Sequence, residues 1–271
     1  MASPFTFIGM RYKDAEEFKT LNGYVIGDIW YPRVTKILDI KAKPGLDNFF
    51  KEVGDFVSAE NVKTKSAAQG TMVHEAVQAI ATGRAITIPE EVRPAAEAFA
   101  QFNKERKIFF YPEFIEKQIW SIRHRYAGTV DALAEVDGKF GVLDIKTSTG
   151  FYPEYNLQTA AYVSALQEYQ IRKDLGLPKE IQSRWILRVN QHKLCKNCKS
   201  TMREKGGWSK VRNGRNGDSC LENEHQWGET VGDIELKEFP YFFNDIKAFV
   251  AAKTLWEWDN DYWLRQIGYN R

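Results

Sequence analysis

The segment GTVDALAEVDGKFGVLDIKTS, from Gly128 to Ser148, carries Asp131 and Asp144 inside two otherwise apolar runs separated by Asp137-Gly138. An Asp-Gly pair between alternating apolar residues marks a two-residue β-hairpin, because a type I′ turn needs positive φ at both central positions. The turn sets a register in which Val136 faces Lys139, Asp131 lies across from Asp144 and Thr129 across from Lys146. Opposed side chains on one sheet face have Cβ atoms about 5 Å apart. Two carboxylates that close on a largely buried sheet repel each other and lose hydration, so the pair calls for a cation between them. A hard divalent ion meets that demand. Period-two alternation puts Lys146 on the face of Asp144 and turns Ile145 to the core, with its carbonyl free to face the ion.

Asp-Ile-Lys by itself decides little, since the chain also holds Asp39-Ile40-Lys41 and Asp245-Ile246-Lys247. Only the middle copy has an opposed carboxylate on a hairpin.

Outward from the hairpin the rhythm is mostly helical between Asp47 and Phe110, with a helix through Ser66–Ile80 that stops at Gly83 and another over Pro94–Lys107. Short β-type runs fill Phe114–Thr147. A helix is expected over Tyr155–Arg172, closed by Gly176 and Pro178, then strands over Ser183–Val189 and Gly232–Lys237 and a closing helix over Tyr241–Arg265. The expected fold is α/β: a mixed sheet flanked by helices in one domain, 1–271. It divides into an N-terminal helical lobe (1–113), a core (114–190 and 231–271) and a cysteine-containing insertion (191–230).

With 43% hydrophobic residues and a formal net charge of +2 over 271 residues, the composition is that of an ordinary globular protein with one large core. No apolar run reaches the ~18 residues of a membrane span and no secretory leader follows Met1, so a soluble, cytoplasmic protein is expected. The three cysteines, Cys195, Cys198 and Cys220, fall in one short segment. That distribution argues against a disulfide framework and for metal or free thiols.

Around the hairpin the sequence resembles the PD-(D/E)xK nuclease superfamily, and within it the RecB-like exonuclease branch. The resemblance rests on Asp131 and Asp144-Ile145-Lys146, on Gly70-Thr71-Met72-Val73-His74-Glu75, on Gln158-Thr159-Ala160-Ala161-Tyr162, and on Glu116-Lys117-Gln118-Ile119-Trp120 ahead of the first aspartate. The usual proline before that aspartate is replaced by Val130. The resemblance implies a restriction-endonuclease-like core acting as a metal-dependent DNA exonuclease in replication, recombination or repair. It implies that His74, Asp131, Asp144 and the Ile145 carbonyl gather magnesium or manganese, which polarises a phosphodiester and acidifies a bound water. Lys146 would stabilise the developing charge. Glu116 would hold a metal-bound water, and Gln158 with Tyr162 would orient the phosphate backbone or the Lys146 head. Two other classes stay open: a DNA-binding scaffold that cuts nothing, and an RNA-directed or endonucleolytic variant.

In the insertion, Cys195-x2-Cys198 followed by Cys220 and a histidine has the spacing of a tetrahedral, zinc-ribbon-like site, with His225 a better fourth ligand than His192. Lys193, Lys196, Lys199, Arg203, Lys205, Lys210, Arg212 and Arg215 are opposed there only by Glu204 and Asp218. With Trp208 among them, the segment is suited to phosphate contact and base stacking on DNA, single-stranded or with free ends. Its expected role is DNA engagement rather than chemistry.

Overall fold

The computed structural model describes residues 11–42, 44–214, 220, 221 and 224–269, with backbone alone for 44–47. Arg215 and Asp218 of the basic run lie outside these residues, as do Met1, Glu222 and Asn223. Among the described residues no helix is long and apolar enough to cross a membrane.

The chain opens with helix α1 (Ala15–Asn22), capped by the Asp14 side chain on Glu17 N, and the antiparallel pair β1 (Gly23–Ile26) and β2 (Ile29–Pro32). Four helices follow: α2 (Val34–Ile37), α3 (Pro44–Val53), α4 (Phe56–Thr82) and α5 (Arg93–Arg106). Helix α4 starts ten residues earlier than its apolar spacing suggests, because Asp55 caps it through Ser58 N at 2.8 Å. It ends as expected on Gly83, in the left-handed region at φ 67°.

The hairpin forms. Asp137 and Gly138 take φ 50° and 77°, and β6 (Ala132–Val136) pairs with β7 (Lys139–Lys146) in the expected register, from Val136↔Lys139 to Ala132↔Leu143. Beyond that the expectation fails. The strand before Asp131, β5 (Tyr126–Val130), leaves the hairpin for β4 (Lys117–Ser121), so Thr129 lies across from Gln118 and not from Lys146. Asp131 is the breakpoint: its carbonyl accepts from Glu116 N at 3.1 Å and its carboxylate accepts from Ile145 N at 2.6 Å. A side chain thus takes over where the ladder of backbone bonds stops.

The main sheet runs β10 (Trp208–Arg212), β9 (Thr201–Lys205), β8 (Ser183–Cys195), β7, β6, β3 (Phe109–Phe110), with β11 (Trp227–Glu238) also on β8. It is mixed: β7 and β8 are parallel, the other neighbours antiparallel. One edge of β8 is held by β11 over almost its whole length, so β7 and β9 share the other edge end to end. The sheet therefore forks where β7 ends at Lys146 and β9 takes its place. Strands β8 and β11 also run well past their expected bounds, so together with β9 and β10 the described strands of the insertion extend the main sheet instead of standing apart from it.

Both sheet faces are covered, which explains why β6 and β7 read as nearly continuous apolar runs. Val73, Val77 and Phe99 of α4 and α5 pack with Ala132, Ala134, Leu143 and Ile145 on one face. Leu133, Phe140 and Val142 meet α6 (Pro153–Leu166) and α8 (Phe243–Asp259) on the other. The expected helix over Tyr155–Arg172 is two helices, α6 and α7 (Tyr169–Leu175). Between them, Glu168 turns its carboxylate to Ser121 Oγ, Ile122 N and Arg123 N at 2.5–3.2 Å, tying the β4–β5 turn. The closing helix likewise splits into α8 and α9 (Asp261–Gln266) at Asn260, whose side chain bonds Trp256 O. Residues 12–38 pack onto the closing helices, since Tyr12, Phe18 and Trp30 share one cluster with Phe249, Trp256 and Leu264.

The outer copies of Asp-Ile-Lys have structural partners. Asp39 pairs with Lys36 at 3.5 Å, and Asp245 with Arg184, a fully buried arginine that also bonds the carbonyls of Phe239 and Tyr241 at 3.0 and 2.8 Å.

Candidate functional site

At the fork, α4, the Asp131 break and the end of β7 converge. Ligand atoms of His74, Glu116 and Asp131 lie within 4.8 Å of one another, with His74 Nδ1 3.8 Å from Asp131 Oδ1. His74 reaches the site because Val73 and Val77 anchor that stretch of α4 in the core. Glu116 reaches it from a left-handed backbone, φ 49°, a conformation that a residue with a Cβ adopts at a cost of about 1–2 kcal/mol. Its carboxylate is held by Gln78 Nε2 at 2.5 Å, one helical turn beyond His74. The convergent set differs from the expected one: Glu116 stands within ligand range, and Asp144 pairs with Lys146.

Asp144 is almost fully buried, and Lys146 Nζ stands 2.8 Å from its Oδ2. Apart from that ion pair, neither Asp144 oxygen has a hydrogen-bond partner among the described residues. Burial pushes Asp144 up to about 6 against the pull of Lys146, and pushes Asp131 up to about 6 as well. For Lys146, burial acts against the charge, but Asp144 and Asp131 outweigh it and raise the pKa. His74 is lowered by burial and then by Lys146, which leaves it a neutral imidazole with a free lone pair near pH 7. A buried carboxylate whose partner is Lys146, a half-buried carboxylate, an exposed one and a neutral imidazole are a donor set suited to a hard divalent cation.

Helix α6 closes the far side. Gln158 Nε2 donates to Tyr162 Oη at 2.9 Å, and the Tyr155 ring lies 5.0 Å from Lys146 Nζ. Tyr162 packs over Gly128 so closely that a Cβ there would sit 2.5 Å from the ring, which is why β5 needs glycine at this point. Sequence reasoning missed Gln78 and Tyr155. The four-residue step from His74 would have found the first; the second depends on how α6 lies over β7.

The second candidate site is on the insertion. Sulfurs of Cys195, Cys198 and Cys220 and a ring nitrogen of His225 all lie within 4.8 Å of one another, with Cys195 Sγ–Cys220 Sγ at 3.9 Å and Cys198 Sγ–His225 Nδ1 at 3.5 Å. Four ligands about 2.0–2.3 Å from one tetrahedral ion stand roughly 3.5–3.8 Å apart, so the spacing suits a metal such as zinc. The Cys195–Ser200 turn is a knuckle: Lys199, at φ 61°, donates its amide to Cys195 O, and Cys195 N donates to Ser200 O. Ser200 and neighbouring amides pull the Cys198 thiol down to about 5. His225 stacks on Trp227, and His192 belongs to a cleft elsewhere.

The insertion touches the first site. Gly206, at the tip between β9 and β10, donates its amide to Gln69 Oε1 on α4 at 2.7 Å, and a Cβ there would meet Val62 O at 2.3 Å. Arg203 and Lys205 of β9 bond the Thr147 carbonyl, next to Lys146.

No family model matches the chain and no curated protein aligns with it.

Proposed function

We propose that this chain is a metal-dependent deoxyribonuclease of the PD-(D/E)xK type, RecB-like, that hydrolyses phosphodiesters of DNA from an end. The observation that carries the reading is the convergence of His74, Glu116 and Asp131 beside the buried Asp144–Lys146 pair, whose carboxylate oxygens have no hydrogen-bond partner among the described residues. Apart from Lys146 these buried oxygens have no partner, which leaves them lone pairs to offer a cation.

Asp131, Asp144 and His74 would hold magnesium or manganese, with Glu116 beside them and the Ile145 carbonyl contributing as in the family this sequence resembles. When bound, the ion supplies Lewis acidity toward the phosphate and a water acidic enough to attack near neutral pH. Lys146, kept charged by Asp144, places a fixed cation against the negative charge that grows on the phosphate oxygens. Glu116, fixed by Gln78, is positioned to accept a proton from the attacking water. Gln158 holds the Tyr162 hydroxyl in one orientation and so presents a fixed dipole on the α6 side. Cys195, Cys198, Cys220 and His225 would hold zinc as a structural ion, which would give the insertion a zinc-ribbon-like character.

The test is digestion of end-labelled linear DNA and closed circular DNA with magnesium, manganese or chelator. Metal-dependent loss of the linear substrate with circles spared supports an exonuclease. Equal cutting of circles makes it an endonuclease, and no cutting with either ion removes the nuclease reading in favour of a DNA-binding scaffold.

A further inference from the structure

A cleft of about 590 Å³ opens from the fork, bounded by the α3–α4 corner, the loop after Thr147 and strands β8–β10. That volume is on the scale of a small-ligand site, roughly 300–1,000 Å³. Its wall carries Tyr152 and Trp208, the second edge-on to Phe49 with ring centroids 6.1 Å apart.

The cations of this wall fall into two groups. Arg188 is paired with Asp233 and Glu235, and Lys210 with Glu52. Arg203, Lys205 and Arg212 line the same cleft and have no carboxylate within ion-pair distance among the described residues. Arg203 and Lys205 are half-buried; burial and then the charges of Arg212 and Arg188 lower Arg203, and burial and then Arg203 lower Lys205, to about 8. Holding like charges together and partly desolvated is unfavourable without an anion to share.

Their donors are also only partly used. Arg203 spends Nε and Nη2 on Asn190 Oδ1 and Thr147 O, which leaves Nη1. Lys205 spends two of three N–H groups on the Thr147 carbonyl and hydroxyl, at 3.1 and 2.5 Å. Those bonds fix both heads relative to Thr147, hence relative to Lys146. The Gly206 contact with Gln69 fixes them relative to α4, which carries His74.

We infer that Arg203, Lys205 and Arg212 form a phosphate subsite that seats a neighbouring phosphodiester of a single DNA strand beside Lys146, with a base stacked on Tyr152 or Trp208. The ligand class rests on the nuclease reading. The anion subsite itself rests on the unpaired cations and the cleft. A stacking wall suits a strand whose base faces are free, which selects single-stranded over duplex DNA. The β9–β10 hairpin then serves as the part of the site that sets where along the strand the scissile bond lies.

The experiment measures binding of a fluorescein-labelled twelve-residue oligothymidylate to the full chain in chelator, where no cleavage is needed, over a range of salt. Each lost phosphate contact lowers the slope of log K against log salt by about 0.7 on single strands. Lys205→Met and the exposed, structurally unencumbered Arg212→Gln should each lower it by that amount, Lys205→Arg should restore it, and Trp208→Ala should weaken binding at least tenfold. A blunt duplex should compete poorly and thymidine monophosphate weakly. Unchanged slopes in both Lys205→Met and Arg212→Gln overturn the subsite, and so does equal competition by blunt duplex. Slopes lowered in both variants with no cleavage by the parent in manganese would leave the subsite standing and remove the nuclease reading; cleavage by the parent with slopes unchanged in both variants would do the reverse.

Discussion

The two candidate metal sites are built in opposite ways. His74, Asp131, Asp144 and Lys146 sit on α4, β6 and β7, elements held by two apolar clusters that bury the sheet on both faces. The chain there imposes the arrangement and bears its cost, which shows in two carboxylates raised to about 6. The thiolate group joins a strand end, a knuckle and a loop, and of its members only Cys195 is buried. Its other three members are only partly buried, so a bound ion would add order there. One candidate site is preformed by the fold; the other gathers its ligands where burial is slight.

The largest effect expected from this contrast is on cleavage. Asp131→Asn or Asp144→Asn should lower turnover by at least about a hundred- to a thousandfold, and circular dichroism should show the fold intact. Cys198→Ser, by comparison, should leave the carboxylate corner assembled. Near wild-type turnover in either aspartate variant would break the comparison at its first term.

Next in size is loss of the thiolate ion. Protein purified without added metal should contain about one zinc per chain, in line with the ~10–16 kcal/mol of structural zinc sites in small modules. Removing it, by Cys198→Ser or a strong chelator, should strip hydrogen-exchange protection from β9 and β10 while β6 and β7 keep theirs. Because Arg203 and Lys205 of β9 hold Thr147, turnover should also fall, beyond any loss of affinity. That departs from an insertion concerned only with binding. Protection of β9 and β10 that survives zinc removal would show an insertion ordered by the sheet alone.

What the sequence reveals follows the range of the forces that write it. Asp137-Gly138 and the alternation around it give the β6–β7 register, because turn chemistry and pleat are local. The same rule carried outward wrongly sets Thr129 against Lys146, since nothing in the alternation says that β5 leaves to pair with β4. Cys195-x2-Cys198 exposes the thiolate site for the same local reason. The docking of Gly206 on Gln69 spans 137 positions and has no local signature. Nor has the Glu168 carboxylate, which interrupts a helix to tie the β4–β5 turn.

A smaller effect concerns the strain of the preformed site. Asp131 and Asp144 have raised folded-state values, so the folded chain binds protons more readily than the unfolded one. Their favourable contribution is full below about pH 4, the ordinary aspartate value, and is lost as pH rises through about 6. In chelator, Asp131→Asn should therefore melt with the parent at pH 4 and above it at pH 7.5, by up to about 3 kcal/mol. The asparagine oxygen still accepts from Ile145 N. Asp144→Asn should lack this gain, because it strips the buried Lys146 of its counter-ion. Equal melting of parent and Asp131→Asn at every pH would mean the carboxylates carry no such cost.

The smallest expected effect separates strain kept for function from strain that is incidental. Glu116 and Lys107 both hold left-handed backbone, at φ 49° and 52°, but Lys107 only closes α5 whereas Glu116 points its carboxylate at His74 and Asp131. Glycine relieves such a position by up to about 1 kcal/mol, partly offset by the freer unfolded chain. Lys107→Gly should raise stability slightly and leave cleavage unchanged. Glu116→Gly should raise stability by a similar amount and lower cleavage at least tenfold, while Glu116→Gln, which keeps the backbone cost, should lower cleavage without the gain. Thermal melts and initial rates on the three variants decide it. If Glu116→Gly cuts as fast as the parent, the left-handed residue is only a tight entry into β4, and the convergent group loses its third member.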